Sequence, residues 1–149
     1  MRWMSLLMLS ACLTGCQEIQ NALGTSLVQQ LSESGADSVI TDENGEIVSV
    51  TFSERANDGT LAHLVGLQHL RELDLGHSQI TDSGLRHLQE LHSLESLWMH
   101  ETKISDAGLK HIKSLTNIWS LTLAGTKIGD AGLTEIQGLQ KLEVLNLRS

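Results

Sequence analysis

The sequence contains no proline and no tyrosine, and its aromatic residues are limited to Trp3, Phe52, Trp98 and Trp119. A hydrophobic core must therefore be built mainly from leucine, isoleucine and valine, since apolar residues make up 40% of the 149 positions. Thirteen glycines in the absence of proline indicate tight turns between short elements rather than long proline-rich linkers. This length fits one modest domain.

A cluster of basic residues is also missing. The formal net charge is −8, and the acidic excess is greatest between Cys16 and Asp58, where Arg55 is the single base. Nucleic-acid backbones are bound chiefly by groups of lysine and arginine. The composition therefore argues against a nucleic-acid partner and is compatible with a cationic one.

The chain has two cysteines and no apolar run long enough to span a membrane. The run from Trp3 to about Leu13 falls short of the roughly 20 residues that a spanning helix needs, but it fits the hydrophobic region of a secretory signal peptide. It ends in Leu13-Thr14-Gly15-Cys16, which resembles the lipobox of bacterial lipoproteins. This resemblance implies that residues 1–15 are a signal peptide and that Cys16 becomes the lipidated first residue.

Several consequences follow from a lipidated Cys16. Cys12 would be removed with the signal peptide, so no disulfide is expected. Several acyl chains on one cysteine anchor a protein stably, whereas a single chain does not. The next residue is Gln17 rather than the aspartate that retains lipoproteins in the inner membrane, so the resemblance favours the outer membrane, facing the periplasm. The alternatives are an ordinary signal peptide or a cysteine without a role.

A 24-residue repeat dominates the remainder of the sequence. Aspartate and glycine recur at this spacing as Asp82, Asp106 and Asp130 and as Gly84, Gly108 and Gly132, and so do three leucine columns: Leu67, Leu91, Leu115 and Leu139; Leu73, Leu97, Leu121 and Leu145; and Leu75, Met99, Leu123 and Leu147. The unit L-xx-L-x-L-xx-[ST]-x-I-x-D-x-G-L resembles the leucine-rich repeats of planctomycete-type bacterial proteins. Ser78, Thr102 and Thr126 stand where asparagine is usual.

The physical pattern of each unit agrees with this resemblance. Alternation predicts a strand with Leu73 inward and Glu72 and Asp74 outward. Asp82 then precedes a short helical pattern and is predicted to cap that helix at its N-terminus. One unit cannot bury its own leucines, but stacked units can. The predicted fold is an α/β leucine-rich repeat solenoid with short parallel strands on its concave face and short helices or turns on its convex face.

The two ends of the solenoid are predicted to differ. Residues 16–45 are expected to form a lipid tether and an N-terminal cap, with an amphipathic helix that carries Leu27 and Leu31 and ends near Gly35. Residues 42–45 are predicted to form a turn that leads into a strand at Ile47–Phe52. Residues 46–149 then hold one degenerate repeat, three full or nearly full repeats and a partial one, without a C-terminal cap.

Catalytic and metal chemistry is weakly indicated. The column His63, His87 and His111 becomes Glu135 in the last full repeat, which favours solvated or packed side chains over a metal site. His77 and His100, with Asp74 and Glu101 nearby, are better placed for a ligand, and Asp74, Trp98, His77 and His100 are the candidate residues of a glycan- or metal-binding module. Because the aspartates repeat at one structural position and no enzyme motif is present, neither an enzyme nor a cofactor is expected.

The outward strand positions, here named the strand face, are the predicted binding surface. Strands about 4.8 Å apart would bring their columns into one patch, with Trp98 at its centre as a hot-spot residue. The predicted protein-binding residues are Glu72, Asp74, Ser96, Trp98, His100, Ser120, Thr122, Asn146 and Arg148. The predicted function is a membrane-anchored module that binds a protein or peptide. The alternatives are an envelope protein that self-associates through its last repeat, and a glycan- or metal-binding module.

Overall fold

The computed structural model describes residues 27–148, in which each repeat supplies one short strand and one short helical segment. The elements, in chain order, are α1 (residues 27–33), β1 (Ala36–Thr41), β2 (Ile47–Phe52), a 3₁₀ helix (Thr60–Leu64), β3 (Glu72–Asp74), α2 (Asp82–Leu85), a second 3₁₀ helix (Arg86–Leu88), β4 (Ser96–Trp98), α3 (Asp106–Leu109), β5 (Ser120–Thr122), α4 (Asp130–Glu135) and β6 (Val144–Asn146).

One six-stranded sheet runs through the described chain in the order β1-β2-β3-β4-β5-β6. The β1–β2 pair is antiparallel, and every later pair is parallel. Parallel neighbours are in register, with Leu73 opposite Leu97 and Leu97 opposite Leu121. Since sequential units stack directly on one another, the fold is the predicted solenoid.

The core is a stack of aliphatic side chains. Leu73, Leu97 and Leu121 are fully buried, as are most members of the other repeat columns. The degenerate first repeat contributes in the same way, because Val50 lies opposite Leu73 in the sheet and Phe52 is also buried. Val50 and Phe52 precede Leu73 and Leu75 by 23 residues instead of 24, but they occupy the equivalent places in the fold.

The N-terminal cap contains one strand more than the sequence analysis predicts. Leu31 of α1 is fully buried in the core, and the helix is followed by Gly35 in the left-handed region at φ 108°. The chain then forms β1, which pairs with β2 across the turn at residues 42–45. Asp42 stabilises that turn because its Oδ1 accepts the backbone N–H groups of Asn44 and Glu46, at 2.8 and 3.0 Å.

The predicted role of the repeated aspartates as caps of their own helices is wrong. Asp82 is the first residue of α2, whose N-cap is Thr81. The Asp82 carboxylate instead accepts hydrogen bonds from the backbone N–H and the hydroxyl of Ser105, at 2.7 and 2.6 Å. Ser105 is the N-cap residue of α3 in the next repeat. The aspartate therefore links successive repeats.

The same link recurs along the solenoid. Asp58 accepts both hydrogen bonds from Thr81, and Asp106 accepts the N–H of Gly129 at 2.7 Å. Gly84, Gly108 and Gly132 each make room for the aspartate of the preceding repeat, because a Cβ would lie 2.6 Å from Oδ1 of Asp58, 2.5 Å from Oδ1 of Asp82 and 2.5 Å from Oδ1 of Asp106, respectively. The spaced aspartate and glycine thus form one packing device, shared between neighbouring repeats.

The serine and threonine hydroxyls at the usual asparagine position also form hydrogen bonds to the backbone. Ser78, Thr102 and Thr126 donate to the carbonyls of the residues three positions earlier, at 2.6, 2.7 and 2.6 Å. Ser78 and Thr102 are 2% and 6% exposed. These bonds satisfy polar groups that would otherwise be buried without partners.

The last described repeat is less covered than the others. Leu145 and Leu147 are 39% and 42% exposed, whereas their counterparts Leu121 and Leu123 are 0% and 2% exposed. Within residues 27–148, no strand pairs with the outer edge of β6.

Candidate functional site

The outward positions of the strands form columns, as predicted. Asp74 lies opposite Trp98, Trp98 opposite Thr122, and Thr122 opposite Asn146. The parallel column contains Glu72, Ser96, Ser120 and Val144. The sheet therefore brings the predicted residues into one contiguous strand face, at the interstrand spacing of about 4.8 Å.

Trp98 is the large aromatic residue of the strand face. It is partly buried, and so are its cross-strand neighbours Asp74 and Thr122. The buried residues on either side of it in the chain, Leu97 and Met99, fix the direction of its side chain toward the face. An aromatic ring held on a rigid sheet among polar neighbours has the properties of an interaction hot spot.

Two of the predicted contact residues contribute little surface. Ser96 and Ser120 are 3% and 7% exposed, whereas Glu72 is exposed and Val144 is 48% exposed. The accessible part of this column is at its two ends.

The backbone that follows the named strands is also hydrogen-bonded from one repeat to the next. The N–H of His77 donates to the carbonyl of His100 at 2.9 Å, and the N–H of Gly125 donates to the carbonyl of Arg148 at 2.8 Å. The equivalent positions His77, Glu101 and Gly125 all have positive φ, at 60°, 54° and 68°. These three repeats thus turn through a left-handed residue, which is strained where it is not glycine.

His100 lies over Gly76, where a Cβ would overlap its imidazole ring. The rings of His77 and His100 meet edge to face, with centroids 4.8 Å apart and planes at 88°. With Glu54 and Asp74 they line a shallow depression of about 390 Å³ at one end of the strand face. Within residues 27–148, no group of three or more histidine, cysteine, aspartate or glutamate side chains is arranged to hold a metal ion.

The second histidine column lies on the helical side of the solenoid. His63 is exposed, and His87 and His111 are partly buried. Nδ1 of His111 is within hydrogen-bond distance of the Gln89 amide nitrogen, which can only donate. Partial burial and the nearby Lys110 lower the pKa of His111 below its ordinary value. The neutral ring therefore accepts this bond and joins two repeats.

A second tryptophan lies at the rim of the sheet and was not among the predicted contact residues. Trp119 is 42% exposed just before β5. It borders a depression of about 480 Å³ with Glu95, Asn117, Gln140, Lys141 and Glu143. The 24-residue period contains the relevant signal, because the equivalent positions are Arg71, Glu95 and Glu143, which indicates a solvent-facing column.

The predicted lipidation site, Cys16, lies outside the described residues. Among residues 27–148, no helix has the length and apolar character that crossing a membrane requires. Lipid attachment and its membrane location therefore remain predictions. A glycan at Asp74, Trp98, His77 and His100 likewise remains a prediction, whereas a metal ion there is not supported, because these described side chains form no group of three or more ligands arranged to hold one.

Comparison with known proteins supports the repeat assignment. Residues 66–89 match the family described as "Leucine Rich repeat". No curated protein matches the chain significantly in sequence. The match covers β3 and α2, which together make up one unit of the solenoid.

Two structures illustrate the shared fold. Internalin C2 from Listeria monocytogenes str. 4b F2365 is 30% identical with a TM-score of 0.52, over 58% of this chain and 35% of that protein. The tropomodulin C-terminal domain of Caenorhabditis elegans is 16% identical with a TM-score of 0.56, over 85% and 83% of the two chains. This chain thus spans about a third of internalin C2, and it has the leucine-rich repeat fold.

Proposed function

We propose that this protein is a non-enzymatic leucine-rich repeat module that binds a protein or peptide through its strand face. Solenoid proteins commonly use the extended surface produced by stacked repeats for binding. The observation that carries the proposal is the position of Trp98. Its column contains polar residues in the other repeats, so packing of the fold does not require an aromatic side chain there.

The surroundings of Trp98 favour a preformed site. Its carbonyl accepts the N–H of Leu75 at 2.8 Å, and the N–H of Met99 donates to the carbonyl of Thr122 at 2.8 Å. The backbone beneath the ring is therefore fixed on both sides. A rigid platform loses less conformational entropy on binding than a mobile loop does.

Charges differ between the two ends of the strand face. Glu72 and Asp74 lie on β3, whereas Arg148 follows β6. Ser120 and Thr122 between them are uncharged. A partner segment with opposite polarity would be favoured, and this arrangement would fix its direction across the strands.

The central test uses capture by the full chain from a crosslinked membrane extract. We expect Trp98→Ala to reduce recovery of the captured partner about tenfold or more, the scale of a hot-spot truncation. Val65→Ala is the control, since it truncates an exposed apolar side chain outside the strand face and outside the depression beside Trp119. Recovery that is unchanged by Trp98→Ala, or reduced equally by both variants, would place the contact elsewhere.

We further propose that the protein is lipid-anchored through Cys16 in the cell envelope, with the outer membrane facing the periplasm favoured. The Leu13–Cys16 stretch and the residue that follows it support this. Metabolic labelling with a clickable fatty acid should mark the wild-type chain and leave Cys16→Ser unmarked. Labelling that persists in the variant would contradict the anchor, and fractionation of the two membranes would test its location.

Self-association through the last repeat is the second candidate. The exposure of Leu145 and Leu147 favours it, because these side chains belong to columns that are buried elsewhere. Analytical ultracentrifugation of the Cys16→Ser chain would detect a concentration-dependent dimer, which Leu145→Glu should dissociate. A monomer at all concentrations would exclude this candidate.

A further inference from the structure

The depression beside Trp119 is separate from the strand face and is lined by Glu95, Asn117, Trp119, Gln140, Lys141 and Glu143. We name it the Trp119 depression. Its volume of about 480 Å³ falls within the range of about 300–1,000 Å³ that is usual for small-molecule sites. Its lining combines one large aromatic ring with side chains that donate and accept hydrogen bonds.

The indole of Trp119 is not required by the packing of the solenoid. The backbone N–H of Trp119 donates to the carbonyl of Glu95 at 2.9 Å, and the backbone carbonyl of Trp119 accepts the N–H of Glu143 at 2.8 Å. These hydrogen bonds place the three residues in one column. Its neighbours in the column are charged, so the position faces water in each repeat. A 42% exposed indole at this position offers an apolar face for a ligand.

Part of the polar lining is held in place before any ligand binds. Lys141 Nζ donates to Asn117 Oδ1 at 2.7 Å, and Asn117 Nδ2 donates to the carbonyl of His92 at 2.7 Å. The ammonium retains two further donors. The side chains of Glu95, Gln140 and Glu143 make no hydrogen bond with any described residue, so they remain available.

The backbone around the depression has little to offer an extended peptide. The Trp119 N–H and carbonyl are both used, and the Glu95 carbonyl accepts from Trp119 and Ser120. A peptide that adds to a sheet gains affinity chiefly through main-chain hydrogen bonds at a free strand edge. The rim of the strands presents no such edge, and recognition there must depend on side chains.

The charges of the lining favour an uncharged ligand that is rich in hydroxyl groups. Lys141 lies in the same depression as Glu95 and Glu143, so it offsets one of the two carboxylates and the lining has a formal charge of only about −1, which disfavours an anion and gives weak attraction to a cation. A sugar ring has an apolar C–H face and a rim of hydroxyls that both donate and accept. We propose that the Trp119 depression binds a saccharide, with a sugar ring stacked on the indole and its hydroxyls on Glu95, Glu143 and Lys141.

The test uses the ¹⁵N-labelled full chain with Cys16→Ser, in a detergent that contains no sugar. The probes are chitotetraose, cellotetraose and maltotetraose, titrated while the tryptophan indole N–H signals are recorded. Trp119→Phe assigns the Trp119 signal. We expect at least one probe to shift this signal saturably and to leave the Trp98 signal unchanged.

Variants then distinguish a specific site from nonspecific binding. Trp119→Ala should weaken binding of the active probe at least about tenfold, Glu143→Gln should weaken it less, and Trp98→Ala should leave it unchanged. Retained signal dispersion in each spectrum verifies that the variant is folded. A tetralysine peptide is titrated in parallel as a cationic probe. The proposal is overturned if no saccharide shifts the Trp119 signal, if Trp98→Ala weakens binding equally, or if tetralysine alone produces the shift.

Discussion

The carboxylate of Asp82 accepts two hydrogen bonds from Ser105, a residue 23 positions later in the chain and at the N-cap of the next repeat. Both bonds are short, at 2.7 and 2.6 Å. They are charge-assisted and partly buried, which makes them stronger than an exposed pair of neutral groups. The cohesion of the solenoid therefore depends on polar bonds as well as on leucine packing.

Removal of this link should destabilise the protein. We expect Asp82→Ala to lower the free energy of unfolding by about 2–4 kcal/mol, because it leaves the Ser105 N–H and hydroxyl without their acceptor. Urea denaturation followed by circular dichroism would measure the loss. Asp130→Ala is the matched control, since the Asp130 carboxylate is exposed and accepts no hydrogen bond from the described residues. An equal loss in both variants would show that the link contributes nothing specific.

The close packing of Gly108 against Asp82 should leave no room for an added methyl group. In Gly108→Ala the new Cβ would lie 2.5 Å from Asp82 Oδ1 and 3.1 Å from Leu85 Cδ1. We expect a cost of about 1–3 kcal/mol, which is typical of overpacking. Gly129→Ala provides the control, because its Cβ would be 3.6 Å from the nearest Asp106 oxygen. Comparable thermal midpoints for the two variants would contradict the proposed steric requirement for glycine at position 108.

The buried hydroxyl of Thr102 should stabilise the turn after β4. Thr102→Val keeps the shape of the side chain and removes the donor to the Met99 carbonyl, so we expect a loss of about 1 kcal/mol. Thr116→Val is suitable for comparison, because Thr116 is exposed and its hydroxyl contacts no described polar partner. No difference in denaturation midpoint between the variants would contradict a role for the buried donor.

The stability of the protein should depend on the protonation of His111. Its pKa in the folded protein is below the ordinary 6.5, first because burial disfavours the imidazolium and then because Lys110 repels it. The unfolded chain therefore binds this proton more readily. Stability is retained above pH 6.5 and decreases as the pH falls through 6.5 toward the lower pKa of the folded state.

Two measurements would test this dependence. An NMR titration of the His111 ring should give a midpoint below 6.5. Parallel denaturation curves at neutral and mildly acidic pH should show a smaller decrease for His111→Gln than for the unsubstituted chain. A His111 midpoint at 6.5 would abolish the effect, and a midpoint above 6.5 would reverse its sign.

The sequence predicts the sheet well because the two-residue alternation of a strand and the 24-residue repeat both constrain the same leucines. Alternation sets the inward direction of Leu73, and the 24-residue period sets its partners Leu97 and Leu121. Stacking then leaves little choice of register, since a shift by one residue would expose the leucines. The position of Trp98 between Asp74 and Thr122 follows directly.

Other features depended on information that a single repeat does not contain. An aspartate at a helix start is a good local cap, and nothing nearby shows that Asp82 reaches Ser105 instead. Strand β1 lies before the first repeat and has no counterpart in the period, although Val39-Ile40-Thr41 ahead of the turn at residues 42–45 is a hairpin signal. The small exposure of Ser96 depends on its neighbours rather than on its own polarity.

The polar links between repeats also have a direction. Asp58, Asp82 and Asp106 each provide the acceptor, and the donor always belongs to the repeat that follows. A repeat that folds after its N-terminal neighbour therefore meets an acceptor that this neighbour already holds in position. Assembly of the solenoid from the N-terminal cap toward the last repeat can accordingly proceed unit by unit, with each folded repeat serving as the template for the next.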